Sequence, residues 1–271
     1  MTLEFSSKAK KPKSFKDHEL FSQLKIPPGV FFVIRCDGRS FKEVCSKVGF
    51  KKPFDKAFAE LMVSSSKAVF EGGLNPLFTF IHSDEASFLF NGESTFKRRV
   101  EKLLSIVPSL MSSKASLGLH SIFNYNGPVS FDARVVLLDK AEIADYFAWR
   151  QMEAWRNHIN SYAYYTLLSK GLTPREASLK LKGLKAPQLH ELVFKEAGVN
   201  LATTPPWQRR GIALIWEEEV KEGFDPVKGA KVKALRLQLK EDWSPPIFAS
   251  SEGRGYIERS MEARLRGVTR P

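Results

Sequence analysis

The chain has 271 residues, 43% hydrophobic and 27% charged, which suffices for one large domain or two small ones around a sizeable core. Its formal net charge of +12 favours polyanions, nucleic acid first among them, and is spread over an N-terminal arm, "FKRR" and "GAKVKALRLQLK" instead of one tail. No apolar run approaches the ~20 residues of a membrane helix, the N-terminus lacks the apolar stretch of a secretory signal, and Cys36 and Cys45 have no zinc-like partners, so a reduced cytoplasmic setting is expected.

In chain order, residues 1 to about 20 read as a basic arm. "IPPGV" breaks the chain before a first strand over 30–36. Residues 52–73 predict a helix with Phe58, Leu61, Met62 and Val69 on one face, stopped by Gly72 and Gly73. Two β-rich runs, 77–82 and 86–90, are separated only by Ser83-Asp84-Glu85 and read as a hairpin. A second helix over 95–113 carries Val100, Leu103, Leu104 and Val107 on its apolar face, with Pro108 as a kink point. A fourth strand follows over 129–138. This order is that of the split βαβ, ferredoxin-like arrangement, an antiparallel sheet with two helices on one face. The fold class is therefore α+β, with a first domain over 21–140. From 141 the chain is mainly helical to 271. A long helix spans 141–171, a capping box of Thr173 and Glu176 opens the next, a third covers 186–198, and 209–221 with 230–243 form a terminal β-pair.

Asp37 ends the first strand and Asp84 lies in the hairpin turn, so both carboxylates reach one edge of the sheet. Facing carboxylates repel unless a cation intervenes. Hard oxygen ligands with open positions suit Mg²⁺, and two such ions stabilise the attacking and leaving oxygens of a nucleotidyl displacement. Gly38 lets the backbone approach a triphosphate and offers its carbonyl. The amides from Arg39 to Lys42 form a short anion nest, with Arg39 and Lys42 as charge partners. Alone, Asp37-Gly38-Arg39 is a charged β-turn and Ser83-Asp84-Glu85 a polar one; their joint placement points to a metal site. Lys97, Arg98, Arg99 and Lys102 are either a solvated face or a second phosphate site. Tyr146, Trp149 and the stretch from Tyr162 to Tyr165 read as core, and His158 as structural. Arg150, Gln151, Arg156, Asn157 and Asn160 are too polar for packing alone. A P-loop, GxSxG, HExxH and CxxC are all missing from the sequence.

Taken together, "RCDGRSF", "KPFD", "SDEASFLF", "FKRRVEKLLS", "FDARVV", "WRQMEAWRN", "LKG", "HELVF" and "PPWQRRG", in this order from Glu19 to Glu219, resemble the tRNA-His guanylyltransferase family, in particular its Thg1-like type. The resemblance implies a palm-like catalytic domain and 3′–5′ nucleotide addition at tRNA 5′ ends. It implies two Mg²⁺ ions on Asp37, the Gly38 carbonyl and Asp84, with Glu85 adjoining as a catalytic acid. It implies a GTP or other nucleoside triphosphate held by Asp37, Gly38, Arg39, Ser40, Phe41, Lys42, Ser83 and Asp84. ATP would first activate a 5′-monophosphate. Arg98, Arg99, Lys102 and Asn157 are then expected at the tRNA 5′ end or its activating nucleotide, and Arg150, Arg156 and Arg209 on tRNA phosphates. A homotetramer, a dimer of dimers, is the typical assembly. One departure stands out. Members that guanylylate tRNA-His carry His-Ile-Asn-Asn where this chain, aligned through "WRQ", reads Trp155-Arg156-Asn157-His158. His190 also replaces a usual Asn, while Glu191 is retained. The first departure resembles the Thg1-like type, which repairs truncated 5′ ends against the opposite strand. A palm-type nucleotide cyclase or cyclic-dinucleotide synthase, and a non-catalytic tRNA-binding protein, are the rival readings.

Overall fold

The computed structural model describes residues 14–92, 95–225 and 230–268; most of the predicted basic arm, residues 1–13, lies outside them. A continuous apolar run, Phe31 to Ile34, followed by Cys36 builds the first strand, β1 (Phe31–Gly38), which is buried on both faces over Phe32 to Ile34. It pairs on one side with β3 (Glu85–Asn91) and on the other with β4 (Phe131–Leu138), antiparallel in both cases. β2 (Phe78–His82) completes the hairpin with β3. The order β4-β1-β3-β2 is the ferredoxin-like one. The terminal pair, β5 (Ile212–Asp225) and β6 (Ala230–Asp242), continues this same sheet, because β5 hydrogen-bonds to β2 from Thr79↔Leu214 to Ile81↔Ile212. β1 ends at Gly38, two residues later than expected, so Asp37 sits inside the ladder instead of after it.

A short helix, α1 (Phe41–Val48), follows β1 directly and escapes the sequence analysis. α2 (Lys56–Glu71) starts at Asp55, whose side chain accepts from the Ala57 and Phe58 amides at 2.8 and 3.4 Å. α3 (Val100–Phe123) runs ten residues beyond the predicted end, since Met111, Ala115 and Leu119 prolong its apolar stripe at every fourth position, with Pro108 buried inside it. α2 and α3 cover one face of the sheet, packing on Phe32, Ile34, Cys36, Phe88 and Phe90. The other face is closed by the C-terminal half. Val33, Phe78, Phe80 and Leu89 meet Phe147 of α4 (Ile143–Ser169), Phe248, and Ile257 and Met261 of α8 (Ser251–Val268). α5 (Pro174–Leu181), α6 (Ala186–Ala197) and α7 (Pro206–Arg210) complete that half, and α6 packs on α4 through Ile159, Ala163, Leu189 and Val193. α8 was not foreseen: its charge and its three glycines, Gly253, Gly255 and Gly267, mask the apolar stripe. Gly253 is required, since a Cβ there would run into the Ile247 carbonyl.

Candidate active site

Register places the acids. Asp37 on β1 lies between Glu85 on β3 and Asp132 on β4, forming a row of three carboxylates across the sheet end. Asp84 occupies the two-residue hairpin turn just beyond, after Ser83 at φ 50°. Gly38 ties the two strands at this point: its amide donates to the Asp84 carbonyl at 3.0 Å. A Cβ at Gly38 would lie 2.5 Å from the Phe41 ring and 2.9 Å from the Asp84 Cβ, so any larger residue forces one of them to move. Burial, then the neighbouring charge of Asp84, pushes the Asp37 carboxyl above its ordinary range. Burial likewise raises Asp84, against the hydrogen bonds from its own backbone and from the Ser83 hydroxyl at 3.0 Å. Among the described residues neither acid has an ion-pair partner.

Glu85 behaves differently. Its two oxygens accept from Arg150 of α4, at 2.9 Å from Nε and 2.6 Å from Nη2, with His82 Nε2 3.4 Å away. All three side chains are buried, and these partners hold Glu85 below the usual carboxylate range. The expectation of Arg150 as a tRNA contact is therefore corrected, because its guanidinium is spent on Glu85 and packs over Trp149. Glu85 is correspondingly a charge-neutralised support beside the acids, not a free one.

Beside Asp84 a cavity of about 250 Å³ opens between α1, α2, α4 and α7. One stripe of α4, Ala154, Asn157, Ser161 and Tyr165, faces it at helical spacing. Lys42, Lys51 and Lys52 bring positive charge, and Phe54 and Trp207 bring aromatic surface. Ser40, at φ 57°, turns the chain into α1. The amides of Gly38 and Arg39 are committed, the latter to the Ser130 carbonyl at 2.9 Å, which leaves those of Ser40, Phe41 and Lys42 at the α1 start without intrahelical partners. The predicted nest thus loses its first amide, that of Arg39. Asn157 joins this cavity. Sequence analysis missed Lys52, Phe54, Ser161, Tyr165, Trp207 and Gln208; the sole signal was the cation pair before an aromatic in "KKPFD".

Other predicted residues stay apart. Arg98, Arg99 and Lys102 belong to the opposite end of the sheet. Arg98 accepts from the Ile26 amide and Arg99 bridges to Lys25, beyond the end of β3 at Asn91. Six residues of β3 separate that end from Glu85, about 20 Å. The C-terminal end of α3 reaches the site instead, where Phe123 meets Phe50 at 4.8 Å. The expected place of these three cations at the same reacting end is corrected for a single chain. Arg156 is exposed and paired with Glu153 at 2.7 Å, and Arg209 donates to the Thr204 carbonyl at 3.0 Å.

A palm-like sheet whose edge carries two uncompensated aspartates beside a basic, amide-lined cavity defines a nucleotide-handling protein of the palm class. Comparison with known proteins is more specific. The family model described as tRNAHis guanylyltransferase matches residues 12–139, and that of the Thg1 C terminal domain matches 141–244. The chain is 34% identical over 237 residues to the Drosophila melanogaster protein named Probable tRNA(His) guanylyltransferase, covering 85% of this chain and 78% of that one. It is 30% identical to the tRNA(His) guanylyltransferase of Candida glabrata, covering 79% and 92%. The Saccharomyces cerevisiae tRNA(His) guanylyltransferase structure superposes with a TM-score of 0.63 at 30% identity, over 70% of this chain and 86% of that one. A bacterial Thg1-like protein in complex with ATP shares the fold at a TM-score of 0.73 and 24% identity, over 91% and 97%. This chain belongs to the tRNA-His guanylyltransferase family, a family of nucleotidyltransferases.

Proposed function

We propose that the chain is a Mg²⁺-dependent nucleotidyltransferase that adds nucleotides in the 3′–5′ direction to the 5′ end of tRNA, in 5′-end repair or tRNA-His guanylylation. The observation that carries this reading is the contiguity of Asp84, the α1 start at Phe41 and Lys42, whose amides have no intrahelical partners, and the Lys42 and Lys52 side chains around one cavity. An incoming GTP or other nucleoside triphosphate lies there with its phosphates on those amides and cations. Its base lies against the α4 stripe and the Phe54 ring. Asn157 and Gln208 supply polar groups to its edge.

The acid pair fits a metal. Two part-buried carboxylates, both raised by burial and, among the described residues, without an ion-pair partner, form an oxygen donor set that a hard cation would complete. Among the described residues no three acidic, histidine or cysteine side chains converge, so phosphate oxygens and the Gly38 carbonyl would supply the remaining ligands. Asp37 and Asp84 would hold the ions, which when bound polarise phosphoryl oxygens and favour the ionised attacking 3′-hydroxyl. Arg150 keeps the Glu85 charge away from that set. Lys42 and Lys52 orient the triphosphate, and Gly38 keeps the two acid-bearing strands in contact. With a 5′-monophosphate, ATP first transfers AMP to the RNA end with loss of pyrophosphate. The 3′-hydroxyl of the next nucleotide then attacks and AMP leaves.

The departure at Trp155 to His158 favours repair of truncated 5′ ends over strict use of tRNA-His. We place the protein in the cytoplasm, where Cys36 and Cys45 remain buried free thiols, and as a homotetramer of two dimers, in keeping with the family resemblance. The test is incubation of purified protein with 5′-truncated tRNAs, labelled GTP and Mg²⁺, with and without ATP. Extension at the 5′ end is expected. Absence of extension on every tRNA, in both conditions, overturns the reading.

A further inference from the structure

The cavity beside Asp84 adjoins a second, larger groove of about 750 Å³ between α4 and α5. Lys42, Ser161 and Tyr165 line both, so the two are continuous. Tyr164, Arg175 and Lys182 form the far side, and among the described residues no acid lines it. The charge around it is one-sided. Residues 170–185 carry Lys170, Arg175, Lys180, Lys182 and Lys185 against a single acid, Glu176. That acid is occupied: its Oε2 accepts from the Thr173 amide at 2.8 Å and the Thr173 hydroxyl at 2.7 Å, closing the cap of α5. The Tyr164 and Tyr165 rings meet edge to face at 5.2 Å and 82°, so they offer differently directed faces. Leu179 adds apolar surface, 62% exposed.

Aromatic faces interleaved with unpaired cations are the chemistry that holds an unpaired nucleic-acid strand, bases on the rings and phosphates on the cations. Duplex RNA, with its bases hidden, would use only the cations. The geometry points to this groove as the track for the unpaired 3′-terminal nucleotides of the RNA whose 5′ end is being extended. The inference rests on the reading of the adjoining cavity as the nucleotidyl-transfer site. If the 5′ end of an acceptor duplex lies at Asp84, the opposite strand must leave past it, and the α4–α5 groove is the continuous basic path out of that cavity. The occupant is an RNA strand and not a second free nucleotide, because the cations are strung along α5 and beyond it instead of converging on one phosphate group.

The test compares a tRNA with the same tRNA trimmed of its unpaired 3′ nucleotides, by fluorescence anisotropy, on the native chain and on Tyr164→Ala, Tyr164→Phe and the double variant Arg175→Glu/Lys182→Glu. Thermal unfolding confirms that each variant folds. Trimming is expected to weaken binding to the native chain about tenfold, the effect of one lost stacked base. Tyr164→Phe keeps that difference. Tyr164→Ala and the double variant bind both RNAs alike, at the level of the trimmed one. A labelled single-stranded RNA octamer binds the native chain and resists displacement by GTP. Equal affinity of the native chain for both RNAs, or a full 3′ advantage retained by the double variant, overturns the proposal. So does displacement of the octamer by GTP, which would assign the groove to free nucleotides. Failure of 5′ extension on both RNAs overturns the reading of the cavity instead, and is scored separately from binding.

Discussion

The Arg150 guanidinium grips both oxygens of Glu85, at 2.9 and 2.6 Å, in the buried layer between α4 and the sheet. This pair links the helical half to the strand that follows the Asp84 turn. It also removes one negative charge from a sheet end that already holds Asp37, Asp84 and Asp132.

Breaking the pair from one side should be costly. Arg150→Ala leaves the buried Glu85 carboxylate with His82 alone beside it, at 3.4 Å, and should lower stability by about 3 kcal/mol. Arg150→Lys should recover little, since an ammonium cannot make the paired contacts of a guanidinium. Arg150→Met with Glu85→Gln should be milder than Arg150→Ala. Urea unfolding midpoints of the three variants decide this, and a mild Arg150→Ala effect would contradict the arrangement.

Gly38→Ala should leave the chain folded but displace either the Phe41 ring or the Asp84 backbone, because its Cβ falls 2.5 Å from one and 2.9 Å from the Cβ of the other. A shift of this size at the reacting end should reduce 5′ extension about 100-fold. Single-turnover extension, set beside the Tm, separates this from simple unfolding.

The acids should trade stability for function. Both carboxyls are raised in the folded chain, so the folded state keeps protons that the unfolded state has released. Their contribution therefore falls as pH rises through the carboxylate range, and at neutral pH their charges are destabilising. Asp84→Asn should raise stability without divalent ions by ~1 kcal/mol and abolish both extension and the rise in Tm expected of the native chain in Mg²⁺. A Tm that responds to Mg²⁺ equally in the variant would count against Asp84 as a ligand.

His158 should set an acid limit on the helical half. The Thr204 hydroxyl donates to the Leu201 carbonyl at 2.8 Å, so at 2.9 Å it accepts from His158 Nε2. Nδ1 is left buried without a partner, and a proton there would have nothing to bond. Burial, then the nearby Arg209 and His190, lowers its pKa from 6.5 to about 4. The folded value lies below the unfolded one, so this stability is present above pH 6.5 and is lost as pH falls towards 4. The loss amounts to about 3 kcal/mol. His158→Asn should flatten the dependence of the urea midpoint on pH between 7 and 4.5. An unchanged slope would place the acid sensitivity elsewhere.

The order of strands and helices in the first half was legible in the sequence because each element carries its own period and stop signals, and because Asp37 and Asp84 follow directly from where β1 and the hairpin end. The motifs also sufficed to name the family. α1 was missed because it begins immediately after a strand, with Ser40 in a left-handed conformation that no cap signal announces. α8 was missed because its apolar stripe is thin until the sheet beneath it is known. Three things were decided by tertiary structure alone. The sheet register put Asp132 beside Asp37. The packing of α4 turned Arg150 inward to Glu85 and Asn157 outward to the cavity. The length of β3 carried Arg98, Arg99 and Lys102 to the far end from the acids. Local periodicity tells which face of an element is apolar. It does not tell which charged residues of distant segments share a face or an end, and that depends on register and docking, whose partners lie up to more than a hundred residues away.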